Sequence, residues 1–172
     1  LWTFGIARTL SPTTSLTFLG IDWSMKANGD IVLSQERFAQ ELLAKYNMTK
    51  CNPLKAITLD KPPGTVDVPT PEELTELQGY AGSFNWLATR TRPDLAYYVS
   101  LLASSATKQA AWSRELAHKV LRYLAGTTQA GLTMSAQGDE NDMKICTDAG
   151  FAGPDTKSQN GMVICWGGSI IT

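Results

Sequence analysis

The 172 residues predict an α+β chain in which a β-hairpin is followed by a mainly helical stretch and then by short strands. Three observations carry that class. Apolar residues alternate with period two before Leu33, recur at three- and four-residue steps between Ser34 and Leu124, and return to short strand-like runs after Gly126.

In the first element Leu19, Ile21, Trp23 and Met25 alternate with Gly20, Asp22 and Ser24, the pattern of a half-buried strand. Asn28-Gly29 predicts a type I′ turn, because both central positions of that turn need positive φ. Residues 30–33 return as the second strand. Ser34 is placed to cap a helix whose stripe is Phe38, Leu42, Leu43 and Tyr46, and Asn52-Pro53 ends that region. Residues 55–69 carry Pro62, Pro63, Pro69 and Gly64, which exclude helix and predict an extended connection. Thr70-Pro71-Glu72-Glu73 then reads as a capping box with proline at the first helical position. The helix it opens carries Leu74, Leu77, Ala81, Phe84 and Ala88 on one face. Arg92-Pro93 interrupts it and starts another through Leu95, Val99 and Leu102. A fourth, from about Ala110 to Leu124, is expected to bury Trp112, Leu116, Val120 and Tyr123, with Gly126 closing it. Residues 131–135, 143–147 and 161–166 are short strands between turn residues, which places a boundary near Thr127 to Gln129.

Composition excludes several classes. Fifteen Lys and Arg against sixteen Asp and Glu give no net-charge signature of a nucleic-acid partner, so the distribution has to be read instead. Cys51, Cys146 and Cys165 are odd in number and lack CxxC spacing, against a zinc site or a disulfide framework. No apolar run reaches the roughly 18 residues of a membrane span and no signal peptide opens the chain, so an intracellular protein without a membrane partner is expected. The start at Leu1-Trp-Thr-Phe, without Met, points to a piece of something longer.

Charge is segregated. Between Ala88 and Leu124, Arg90, Arg92, Lys108, Arg114, Lys119 and Arg122 meet only Asp94 and Glu115. Arg114, His118 and Arg122 recur every four residues and line one helical face, able to follow a phosphate backbone. The alternative is an ordinary solvated face in which Glu115 and Lys119 pair. His118 has no second His or Cys at ligand spacing and reads as a surface residue. After Gly138 acids dominate, most of them turn residues. Asp148 differs, because it ends the strand pattern of residues 143–148 and is followed by the small Ala149 and Gly150, which leaves room for a divalent cation and a phosphate. A strand-end cap or turn residue is the competing reading. Two-metal phosphodiester chemistry clusters several carboxylates around ions about 3.5–4 Å apart, so one Asp is not a site.

Six runs in order, at residues 18–22, 31–35, 79–83, 91–97, 121–127 and 147–153, resemble the Pol polyprotein of copia-type (pseudoviral) long-terminal-repeat retrotransposons across nearly the whole chain. Each run is weak alone, but their order and spacing are specific. The resemblance implies that residues 1–33 are the C-terminal edge of a reverse transcriptase palm with its primer-grip hairpin, including Gly20 and Trp23. It implies that residues 34–128 are a thumb whose Arg90, Arg92, Arg114, His118, Lys119 and Arg122 hold primer-template or RNA–DNA hybrid. Residues 129–172 would be the first strands of a truncated ribonuclease H-like α/β domain, with Asp148 as its first catalytic acid and metal ligand. The implied parent is an RNA-directed DNA polymerase and hybrid ribonuclease using Mg²⁺, located in a cytoplasmic virus-like particle, with the rest of the Pol polyprotein as partner. Gly150 replaces the family's second acid, Met162 stands where Tyr is usual, and the Tyr-x-Asp-Asp motif and remaining ribonuclease H acids are not in the chain. A piece that binds nucleic acid without catalysing is therefore expected. The alternatives are a non-catalytic helical binding module or a decayed, non-functional remnant.

Overall fold

The computed structural model describes residues 7–60, 64–150 and 158–171. Their architecture is mixed α and β, in keeping with the expected class, and divides into two compact units. One is the helical unit Gln35–Ala130, and the other gathers the described residues within Leu1–Ser34 and Gly131–Thr172. The end of the run at residues 147–153, together with Asp155 and Lys157, lies outside the described residues.

In the β unit, β1 (Leu16–Phe18), β2 (Ile21–Met25), β3 (Ile31–Ser34) and β4 (Leu132–Met134) form one antiparallel sheet in that order. Its register places Leu16, Trp23, Leu33 and Leu132 in one cross-strand row, with Met25, Ile31 and Met134 in a second row on the same face. The opposite face carries Thr17, Asp22 and Ser34. β4 was expected to begin a separate C-terminal set of strands, and instead it adds to the N-terminal hairpin. Alternation identifies a strand but says nothing about which distant strand completes its hydrogen bonds.

The expected turn has a different type, and a second turn lies where strand was expected. At Asn28-Gly29 only Gly29 has positive φ, +90°, and its N–H donates to the Lys26 carbonyl at 2.9 Å while Lys26 N–H donates to the Asp30 carbonyl at 2.8 Å. That is a type I turn closed by a glycine bulge, not type I′. Asn28 uses its amide on Asp30, donating to the carboxylate at 2.9 Å and accepting from the backbone N–H at 3.2 Å. Positive φ at both central residues occurs instead at Leu19 (+50°) and Gly20 (+73°), between β1 and β2. Leucine there is strained and exposed, and its apolar side chain disguised the turn as strand.

β5 (Met143–Gly150), β6 (Gln159–Trp166) and β7 (Ser169–Ile170) make a second antiparallel sheet. Every residue of β5 is exposed, and Met143, Ile145, Met162 and Trp166 share one open face. The Ser135 N–H donates to Ser169 Oγ at 2.8 Å, joining this sheet to the chain just after β4.

The helical unit comprises α1 (Glu36–Lys45), α2 (Pro71–Ala88), a 3-10 turn (Pro93–Leu95), α3 (Ala96–Ser105) and α4 (Ala110–Gly126). Ser34, expected to cap α1, belongs to β3, and Gln35 takes the cap position without a side-chain cap bond. The capping box of α2 forms as expected, with Glu73 N–H donating to Thr70 Oγ1 at 3.2 Å and Thr70 N–H to Glu73 Oε2 at 2.9 Å. Leu42, Leu43, Leu77, Tyr80, Phe84, Leu87, Leu95, Leu102, Leu116, Val120, Leu121 and Leu124 build the core. Each such aliphatic side chain contributes about 1.5–3 kcal/mol by burial. The buried stripe of α2 is rotated from the expected one, because Tyr80 and Leu87 are buried while Leu74 is only half-buried. Trp112 and Tyr123 likewise sit at the edge of the core. Gly126 is the last helical residue, and a Cβ there would come within 3.1 Å of the Leu54 carbonyl and 3.2 Å of Pro53. Close packing, not a left-handed cap, requires that glycine. Among the described residues no helix is long and apolar enough to cross a membrane.

Candidate nucleic-acid interface and the Asp148 position

The basic residues expected to form a single row on α4 have separate partners. Arg114 donates to Glu73 at 2.9 Å and lies 3.5 Å from Glu76, which ties α4 to α2. The Thr70 N–H and then the Arg114 guanidinium hold the Glu73 carboxyl below its ordinary value. Glu76 also accepts from the Tyr80 hydroxyl at 3.3 Å, and burial first, then the Glu76 charge, pushes that hydroxyl well above its usual range. Lys119 pairs with Glu115 at 2.8 Å, as the solvated-face alternative expected.

Arg92 is only 3% exposed. Its Nε and one terminal nitrogen donate to the two Asp94 oxygens at 3.0 and 2.7 Å, and its terminal nitrogens also reach the Thr127 carbonyl and hydroxyl, each at 2.9 Å. All of this lies within the helical unit, so Arg92 joins the 3-10 turn to the end of α4 and presents no free edge to a phosphate. It was counted as a binding residue because sequence shows a charge and not the groups folded around it.

Three of the named residues remain outward. Arg122 engages its Nε with the Asn52 carbonyl at 2.7 Å and is half-buried. Arg90 is exposed and lies 4.9 Å from the Trp86 ring centre. His118 is exposed, its ring centre 6.2 Å from that of Tyr80 in an edge-on arrangement, and Tyr80 stacks on Tyr46 with ring centres 4.1 Å apart. Lys45, which the sequence reading did not single out, lies 5.0 Å over Tyr46 on the same aromatic group. In the β unit Gly20 is exposed in the β1–β2 turn, whereas Trp23 is half-buried in the apolar row with an indole N–H that has no partner among the described residues.

Asp148 lies on β5, exposed, opposite Gly161. A Cβ on Gly161 would meet nothing within 4 Å among the described residues. Among the described residues, however, no group of three or more His, Cys, Asp or Glu is placed to hold a metal ion.

A polyprotein from the Arabidopsis thaliana transposon RE2, described as retrovirus-related Pol, is 34% identical over 153 residues, covering 87% of this chain and 10% of that protein. This chain is a relative of copia-type Pol polyproteins from transposons. The Pol polyprotein of the Nicotiana tabacum transposon TNT 1-94 is 28% identical over 81% of the chain, again 11% of its own length. An uncharacterized mitochondrial protein of Arabidopsis thaliana is 29% identical over 79% of the chain, and there the match spans 55% of the protein. No family model and no solved structure matches.

For a Pol relative, Asp148 is the position where a divalent ion is implied. Hard cations take six or more oxygens, and one exposed carboxylate beside a glycine does not supply them. The described residues therefore do not fit a resident Mg²⁺.

Proposed function

We propose that this chain is a primer-template or RNA–DNA hybrid holding segment of a transposon Pol protein, which positions nucleic acid and does not itself cut it. The likeness to Pol polyproteins over 87% of the chain carries the reading. The exposed Arg90 and His118 and the half-buried Arg122 support it, because guanidinium groups bind phosphates with bidentate geometry and an exposed imidazole can donate to one. In this reading the helical unit is thumb-like, the β1–β2 and β2–β3 hairpins are the palm edge, and β5–β7 are the opening strands of a ribonuclease H-like region. Asp148 is one ligand of a site that needs further acids. The rival reading, a helical interaction module with no role in reverse transcription, is favoured by the internal use of Arg92 and Arg114.

The two readings separate in a hybrid-binding assay. Fluorescence anisotropy with a labelled RNA–DNA hybrid should show binding that weakens about tenfold or more in Arg90→Ala plus Arg122→Ala, independent of hybrid sequence. Absent binding, or binding indifferent to both substitutions, favours the interaction module.

A further inference from the structure

A cleft of about 240 Å³ opens on the helical unit, lined by Lys55, Ala56, Ile57, Asp94, Tyr98 and Tyr123. Its polar groups are held in place from behind. Tyr98 donates its hydroxyl to the Ile57 carbonyl at 3.3 Å, and Tyr123 donates to Asp94 Oδ2 at 3.0 Å. Arg92 donates to both Asp94 oxygens, yet the Asp94 side chain remains 40% exposed. Oδ1 accepts from Arg92 Nε, and a carboxylate oxygen has capacity for a further donor on its exposed side. The two tyrosine rings are half-buried and Lys55 is exposed.

Each component matches one part of a nucleotide. Carboxylates accept from the exocyclic amino group of a base. Tyrosine rings stack on unpaired bases, and lysine neutralises a phosphate. The volume lies below the roughly 300–1,000 Å³ of pockets for drug-sized ligands, which limits the cleft to one base.

We propose that this cleft binds a single unpaired nucleotide whose base carries an exocyclic amino group, with the amino group on Asp94, the base against Tyr98 or Tyr123, and the phosphate facing Lys55. The inference rests on the nucleic-acid reading for the origin of its ligand, but it uses none of the residues assigned to hybrid binding. Uracil and thymine lack the amino donor and are the disfavoured bases.

The test measures the full chain with labelled single-stranded oligo-dC, oligo-dA and oligo-dT, with hybrid measured in parallel. Oligo-dC or oligo-dA should bind about fivefold or more tightly than oligo-dT. Tyr98→Leu should weaken single-strand binding by about fivefold or more and leave hybrid affinity within twofold. Should Tyr98→Leu fail to fold, Lys55→Glu on the surface carries the same test, with the same selective loss expected. Displacement of the strand by CMP identifies a free nucleotide as a sufficient ligand, and displacement only by unlabelled oligo-dC assigns the strand. Equal affinity for all three strands, or single-strand binding unchanged in these variants, overturns the proposal. Loss of hybrid binding with the base preference intact would sink the hybrid reading and leave the cleft standing.

Discussion

Arg92 shares its guanidinium between Asp94 and Thr127, so removing it strands a carboxylate and leaves the Thr127 carbonyl without that donor. Breaking such a pair costs more than forming it gains, because the 40% exposed Asp94 carboxylate regains water only in part and the Thr127 carbonyl loses a charged donor. Arg92→Ala should destabilise the chain by about 2–4 kcal/mol in a urea unfolding curve, and Arg92→Lys should recover only part, since an ammonium cannot make the two-pronged contact. The pH dependence has a definite sign. Burial alone would raise the Asp94 pKa, but the Arg92 hydrogen bonds and charge, with the Tyr123 hydroxyl, outweigh it and hold the carboxyl below 3.8. A carboxyl lowered on folding contributes stability above its unfolded value that fades as pH falls through the folded value. The gap between wild type and Arg92→Ala should therefore narrow below about pH 3.8. At this scale the sequence was least legible. The four-residue recurrence of Arg114 and Arg122 was correct as geometry, but their partners Glu73 and Asn52 are 41 and 70 residues away.

Elements were easier to read where their signals are local. The Thr70–Glu73 capping box lies within four residues and forms as expected. Thr70→Ala should cost about 1 kcal/mol, measurable as a lowered urea midpoint without a changed slope. The start of α4 falls at Ala110 as expected, but the group that caps it was illegible. Gln109 makes no side-chain cap bond, and the N-terminus is served by Asp67, whose carboxylate accepts from the Ala111 N–H at 2.9 Å and whose carbonyl accepts from Ala110 N–H at 3.0 Å. A cap supplied from 44 residues away leaves no trace in local spacing. The turn at Leu19-Gly20 was missed for a different reason, because leucine is rarely placed at positive φ.

Across the whole molecule, the helical unit runs from Gln35 to Ala130, and the switch from helical to strand periodicity is what the sequence shows near its end. What periodicity did not reveal is that the chain returns to complete the sheet it began, with β4 pairing to β3 across about a hundred residues of intervening chain. The candidate interface is likewise a property of the folded unit: Arg90 and Arg122 remain outward, while Arg92 and Arg114 are consumed by structure. A chain of net charge −1 would bind hybrid only through such local groups. The central claim, that this Pol relative holds nucleic acid, is tested most directly by the salt dependence of its hybrid affinity. Two or three phosphate contacts predict that log K falls against log salt with a slope of about −2 to −3. No measurable binding at low salt, or an affinity that does not change with salt, would contradict it.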